Sequence, residues 1–236
     1  MGKEGKKSVV TPQDVLDIRE EIDKFFNTED KEGMQIGRAQ CGIYAFYDYD
    51  KEPIYVGQTI ENIKGRVGRH LTGRRSDAVG KYVLDPVEVA EIEVWPFFDV
   101  TYSKRDRQAK AEAKNLMDKA EFTVFQKLLS ESEIGAILNE KPPSTTDYVI
   151  LPQSYRGRII PEHIYEREKH PDIRIARRAS TIANLARLIS EREVRSGIRK
   201  TLLTQAKRLE LLASERLRQL GIDYTFEDLS EESEEE

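Results

Sequence analysis

The sequence is poor in the residues that build disulfide frameworks, cysteine zinc sites and membrane spans. Its 236 residues include one cysteine, Cys41, which excludes an internal disulfide framework and any zinc site built from several cysteines. No run of 18 apolar residues occurs, and the first residues lack the apolar core of a signal peptide. We therefore expect a cytoplasmic protein that neither inserts into membranes nor is secreted.

An excess of positive charge is also missing, since the formal net charge is -5 at pH 7. Such a total ordinarily counts against a nucleic-acid-binding protein. The charge is unevenly distributed, however. Residues 151–224 hold 16 Lys+Arg against 9 Asp+Glu, whereas residues 225–236 hold seven acids and no base. We expect this acidic tail to be disordered. The negative total therefore does not exclude DNA as a partner.

Hydrophobic patterning predicts an α+β fold with a small three-stranded antiparallel sheet flanked by helices. Cys41–Tyr47 and residues 54–57 are rich in strand-forming residues and are joined by turn-forming ones, which is typical of a hairpin. Alternation over residues 87–94 predicts a third strand, and residues 148–151 are a weaker strand candidate. Helical spacing predicts helices over residues 11–26, 60–71, 105–129, 173–194 and 198–220, the last two forming a hairpin broken at Ser196-Gly197.

These elements suggest four consecutive parts of the chain. Residues 1–38 form an N-terminal helical extension, and residues 39–143 hold the sheet and the helices nearest to it. Residues 144–224 form a helical region for DNA recognition or dimerisation, and residues 225–236 are the acidic tail.

One carboxylate is predicted in an apolar setting. On the helix predicted for residues 105–129, Glu121 is surrounded at helical spacing by Met117, Val124, Phe125 and Leu128. Burying a polar group without a partner costs on the order of 2–7 kcal/mol, and more when the group is charged. We therefore expect Glu121 to be neutralised by a divalent cation or by a buried arginine.

Two tripeptides in the predicted hairpin carry a family resemblance. Gly42-Ile43-Tyr44 is followed, after ten intervening residues, by Tyr55-Val56-Gly57. This pair resembles the motifs of the GIY-YIG endonuclease superfamily, with Val56 in place of the usual isoleucine. Further positions of the family pattern match in order: Arg66, His70, Glu121 and Asn139. The 18-residue spacing from Glu121 to Asn139 is longer than the family pattern.

The resemblance implies metal-dependent hydrolysis of phosphodiester bonds. Glu121 would hold one Mg²⁺ per site, for which Mn²⁺ can substitute, and Arg66 would stabilise charge on the phosphoryl oxygens. Tyr44 would act as the base that activates water, with Tyr55 and His70 hydrogen-bonded around it. His70 is the rival base, because an imidazole titrates closer to neutral pH than a phenol does. The sequence leaves the choice between the two open.

Positive residues near these positions suggest where DNA phosphates bind. The predicted DNA-binding residues are Lys64, Arg69, Arg74 and Arg75, extended by Arg156 and Arg158. Arg174, Arg177 and Arg178 either continue this track or belong to an ordinary solvated helix surface.

Among the branches of the superfamily, this chain is most similar to the type II restriction endonucleases, which are prokaryotic. Such an enzyme is expected to act as a homodimer on a palindromic site in double-stranded DNA. Two alternatives stay open. One is a structure-selective or repair nuclease of the same family, and the other is a non-catalytic DNA-binding protein on the same fold.

Overall fold

The computed structural model describes residues 13–71 and 85–222, and within these ranges the chain forms an antiparallel sheet and six α-helices. The strands are β1 (Cys41–Tyr47), β2 (Pro53–Thr59), β3 (Glu91–Phe97) and β4 (Tyr155–Arg158). The helices are α1 (Gln13–Asn27), α2 (Ile63–Leu71), α3 (Arg107–Glu131), α4 (Glu162–Glu168), α5 (Pro171–Glu191) and α6 (Ser196–Gln219). None of the described helices is both long and apolar enough to cross a membrane.

Strand β1 lies inside the sheet, whose order is β2-β1-β3-β4, and it supplies side chains to two cores. Tyr44 and Phe46 pack with residues of α1 and α2 on one face of the sheet. Ile43 and Ala45 pack against α3 on the other face. Cys41 lies in the second core, where burial raises the pKa of its thiol to about 11. Because successive strand residues point to opposite faces, the apolar run of β1 is explained by burial on both sides.

The prediction of a three-stranded sheet was wrong, because a fourth strand is present. Strand β4 pairs antiparallel with β3, with Glu91 opposite Arg158 and Val94 opposite Tyr155. Its sequence, Tyr-Arg-Gly-Arg, is short and polar and lacks the β-branched residues by which strands are recognised. The third strand also begins later than predicted, at Glu91. Residues Pro86–Glu88 form a 3₁₀ turn, which the Asp85 side chain caps by accepting from the Val87 amide.

Residues 148–151 are extended but do not form a strand. Val149 and Leu151 pack against the core on the α3 side, whereas Tyr148 and Ile150 are 68% and 97% exposed. The Val149 amide donates to the Thr123 hydroxyl of α3 instead of to a neighbouring strand. The apolar run therefore belongs to a segment that is buried on one side against a helix.

The predicted long helices correspond to α1, α2, α3, α5 and α6, with ends that differ by a few residues. Helix α4 was missed because it has only seven residues, follows Pro161 and contains no long apolar repeat. The predicted capping pair Thr11-Pro12 and the acidic tail lie outside the described residues.

A buried cluster of ion pairs attaches the two C-terminal helices to the turn after β1. Asp48, 2% exposed, lies 2.9 Å from Arg178, 2.5 Å from Arg208 and 3.7 Å from Arg174. Arg178 also donates to Glu88 at 3.0 Å. Arg174 and Arg178 are therefore buried inside the protein and do not extend a surface track for phosphates.

We predict that Asp48→Asn destabilises the fold by about 3–5 kcal/mol, because it leaves buried arginines without their shared counter-charge. Urea unfolding measures this loss. Asp147→Asn is the matched control, since Asp147 pairs with Lys119 but is 84% exposed, and it should cost less than about 1 kcal/mol. Equal losses in the two variants would show that Asp48 does not hold the helices in place.

Candidate active site

The phenol of Tyr44 lies at the centre of the site because Gly57 leaves room for it. Tyr44 is fully buried, and its backbone is paired opposite Gly57 of the neighbouring strand β2. A Cβ atom at Gly57 would stand 2.5 Å from the Tyr44 hydroxyl oxygen, which is closer than non-bonded atoms approach. The glycine of the second tripeptide therefore allows the Tyr44 side chain to cross over β2.

Helix α2 brings two further predicted residues to this phenol. Ile63 and Val67 bury one side of the helix, and Arg66 and His70 share a neighbouring face because they are four residues apart. The His70 Nε2 atom lies 3.5 Å from the Tyr44 hydroxyl oxygen, and the positive charge of Arg66 lies near enough to the same phenol to lower its pKa.

The ring of Tyr55 completes this group. Its centroid is 5.2 Å from the His70 ring and 6.2 Å from the Tyr44 ring. The structure thus brings together Tyr44, Tyr55, Arg66 and His70, as the family pattern implied.

The electrostatics of the group favour a neutral phenol and a charged guanidinium. Burial, reinforced by Tyr55, raises the pKa of Tyr44 well above its usual value, although Arg66 acts in the opposite direction. Burial lowers the pKa of Arg66, but Tyr44, Tyr55 and Glu121 together raise it above its usual value. The Arg66 Nε atom is buried and has no hydrogen-bond partner within the described part of the chain. A strong donor is therefore left available for an anionic substrate.

Helix α3 contributes Glu121, which is partly buried beside β2. The Gln58 side-chain amide of β2 donates to Glu121 at 2.8 Å and to Asp118 at 2.6 Å. Burial raises the pKa of Glu121. The hydrogen bond from Gln58 and the charges of Lys114 and Arg66 lower it, while Asp118 raises it further. The neighbours therefore offset only part of the cost of burying this carboxylate.

A cavity of about 360 Å³ opens between α2 and α3 beside the end of β2. It is lined by Gln58, Thr59, Ile60, Glu61, Arg66, Arg69 and Lys114. Three of these side chains are cationic, and Glu121 and Asp118 both accept hydrogen bonds from a fourth, Gln58. The cavity therefore suits an anion that is bound together with a cation.

The donor set fits a divalent cation such as Mg²⁺. Glu121 and Asp118 are both oxygen donors, which hard cations prefer, and Mg²⁺ needs only one or two carboxylates because it keeps several waters. A bound cation would also relieve the charge that burial disfavours on Glu121. Glu121 would be the protein ligand, with Asp118 one helical turn away.

The side chain of Asn139 binds the backbone of β2. Its side chain makes two hydrogen bonds with the Val56 backbone: Asn139 Nδ2 donates to the carbonyl at 2.8 Å, and Asn139 Oδ1 accepts from the amide at 3.1 Å. These contacts brace the outer edge of β2 in place of a neighbouring strand. The catalytic role that the resemblance implied for Asn139 stays a prediction.

The predicted DNA-binding residues are dispersed. Arg69 is exposed at the cavity, whereas Lys64 pairs with Asp23 of α1 at 2.8 Å. Arg156 pairs with Glu91 at 2.7 Å and stacks on Tyr47, and Arg158 pairs with Glu162 and stacks on Tyr165. Both lie on β4, which is separated from β2 by the two strands β1 and β3. Arg74 and Arg75 lie outside the described residues.

Gln58, Asp118 and Lys114 were not predicted from the sequence. Asp118 and Lys114 precede Glu121 by three and seven residues, so helical spacing places all three on one face of α3. That spacing was a usable signal. Nothing in the sequence pairs Gln58 with α3, because this contact depends on how the helix packs across the sheet.

Comparison with known proteins gives one match. Residues 40–127 match the family model of the GIY-YIG catalytic domain. A search of curated proteins and a search of solved structures found no match. The matched segment contains Tyr44, Tyr55, Arg66, His70 and Glu121, and it ends before Asn139. It indicates a nuclease domain with DNA as the substrate, from a family that generally depends on divalent metals.

Proposed function

We propose that this protein is a site-specific DNA endonuclease of the type II restriction kind, which hydrolyses phosphodiester bonds with one Mg²⁺ bound by Glu121. The observation that carries the proposal is the convergence of Tyr44, Arg66, His70 and Glu121 at β2, within the segment that matches the GIY-YIG domain. In this proposal the enzyme acts as a homodimer on a palindromic site, so that its two-fold symmetry matches that of the DNA.

Arg66 is proposed to hold the scissile phosphate. Its guanidinium lines the cavity, stays charged and has a buried Nε donor without a partner in the described chain. Negative charge that builds up on the phosphoryl oxygens is stabilised most by donors that are already in place. Arg66 lies beside the buried Tyr44 phenol, which is proposed to hold the guanidinium in such a position.

Glu121 is proposed to hold the metal, and Gln58 to orient the Glu121 carboxylate. When bound, Mg²⁺ supplies positive charge to the scissile phosphate and to the leaving oxygen. The 2.8 Å hydrogen bond from Gln58 fixes one Glu121 oxygen, which restricts the direction in which the other points.

Tyr44 and His70 are proposed to act together as the general base. A buried phenol with a raised pKa is not ionised at neutral pH, so a preformed phenolate is disfavoured. His70 Nε2 contacts the Tyr44 hydroxyl and can accept its proton as the phenol oxygen accepts a proton from the attacking water. This relay assigns a step to each of the two candidate bases.

We predict that the protein cuts unmethylated plasmid DNA in Mg²⁺, and that Glu121→Ala lowers the rate by about a thousandfold or more, because the metal ligand is lost. Gel analysis of the digestion products measures both. Glu112→Ala is the control, because Glu112 is an exposed acid of the same helix that bonds to Gln108; it should cut like the wild type.

The pattern of products separates the alternatives. Discrete fragments support a restriction enzyme, and random nicking supports a structure-selective or repair nuclease. If wild type and Glu121→Ala both bind DNA and neither cuts it, the proposal of an enzyme is wrong. The protein would then be a non-catalytic DNA-binding protein.

The pH dependence tests the relay. The cleavage rate of the wild type should rise with pH and then level off, because an imidazole that accepts a proton must first be neutral. In His70→Gln the rate should be lower at neutral pH and keep rising through the alkaline range without levelling off, since the phenol must then lose its proton to solvent and its pKa is raised well above the usual value. Profiles of the same shape in both proteins would contradict the relay.

A further inference from the structure

A row of cations on α3 leads away from the candidate site. Arg107, Lys110 and Lys114 precede Glu121 by 14, 11 and 7 residues. At about 100° per residue, these three side chains and Glu121 fall within about 60° of the helix circumference. The helix face that presents the metal-binding carboxylate is therefore continued by positive charge towards the N-terminus of α3. We call Arg107, Lys110 and Lys114 the α3 basic row.

The α3 basic row is exposed and continuous with the cavity. Arg107 and Lys110 are exposed and have no acidic side chain within ion-pair distance in the part of the chain that the structure describes. Lys114 pairs with Asp118 and lines the same cavity as Arg66 and Arg69. This arrangement contrasts with β4, where Arg156 and Arg158 are occupied by ion pairs and aromatic rings.

The length of the α3 basic row matches a DNA backbone. From Arg107 to Lys114 the helix rises by about 10 Å, at about 1.5 Å per residue. Along that distance one strand of a duplex carries about three phosphates, at about 3.4 Å of helix axis each. Three exposed cations spaced about one turn apart suit such a chain of phosphates, because each can neutralise one of them.

We propose that the α3 basic row binds the DNA backbone next to the scissile phosphate, so that the duplex leaves the site along α3 and not along β4. The proposal rests on the proposed nuclease function, whose substrate it places. It assigns phosphate contacts to Arg107 and Lys110 in addition to Lys114.

Salt-dependent binding tests the proposal. The probe is a fluorescent duplex of mixed sequence, bound in Ca²⁺ or without metal so that no cleavage occurs. Arg107→Gln combined with Lys110→Gln should weaken binding on the order of tenfold and reduce the slope of log K against log salt by about 2, because two phosphate contacts are lost. Lys127→Gln is the matched control: Lys127 is an exposed lysine on the opposite side of α3, above Trp95.

The outcomes distinguish this proposal from the nuclease function. The proposal that the α3 basic row binds DNA is wrong if the salt-dependence slope of the double variant is unchanged. It is also wrong if Lys127→Gln loses as much binding as the double variant. Wild-type cleavage that depends on Glu121 would leave the nuclease function standing in that case. If the wild type neither binds nor cuts DNA, both proposals are overturned. Circular dichroism of each variant identifies any loss of binding that is caused by unfolding.

Discussion

Partial burial of the Glu121 carboxylate is the constraint on which the rest of the site depends. Burial raises the pKa of Glu121, and the hydrogen bond from Gln58 and the nearby cations offset only part of that cost. The same packing of α3 across β2 places Glu121 near Arg66, which also lies beside Tyr44. In the proposed function, a cation would neutralise Glu121 while a phosphate binds Arg66. Metal binding and substrate binding are therefore expected to favour each other.

The β1–β2 hairpin, which carries both tyrosines, is held by polar contacts at its turn and along its outer edge. At the turn, Asp48 is buried among Arg174, Arg178 and Arg208 of the C-terminal helices. Along the free edge of β2, Asn139 satisfies the amide and the carbonyl of Val56. Breaking buried ion pairs is costly, so the helices α5 and α6 support the site from a distance. Three of the 16 Lys+Arg in residues 151–224 are therefore buried arginines that do not face a ligand.

Local signals predicted much of this architecture, and contacts between distant elements account for most of what was missed. The spacing of Arg66 and His70 on one helix was enough to place them together, and the apolar neighbours of Glu121 indicated that it would be partly buried. Strand β4 was missed because its polar tetrapeptide has little strand propensity of its own and forms a strand by pairing with β3. Likewise, nothing near Arg174 or Arg178 in the sequence reveals that Asp48, more than a hundred residues earlier, is their partner.

The most direct test of the account is the thermal stability of wild type and Glu121→Gln with and without Mg²⁺ or Mn²⁺. The raised pKa means that the charged form of Glu121 is disfavoured in the folded state, so wild type loses stability relative to the variant as pH rises through that pKa. Without metal at neutral pH, Glu121→Gln should therefore melt at a higher temperature. Metal should raise the melting temperature of wild type and leave that of the variant unchanged. Equal shifts in the two proteins would contradict the assignment of Glu121 as the metal ligand.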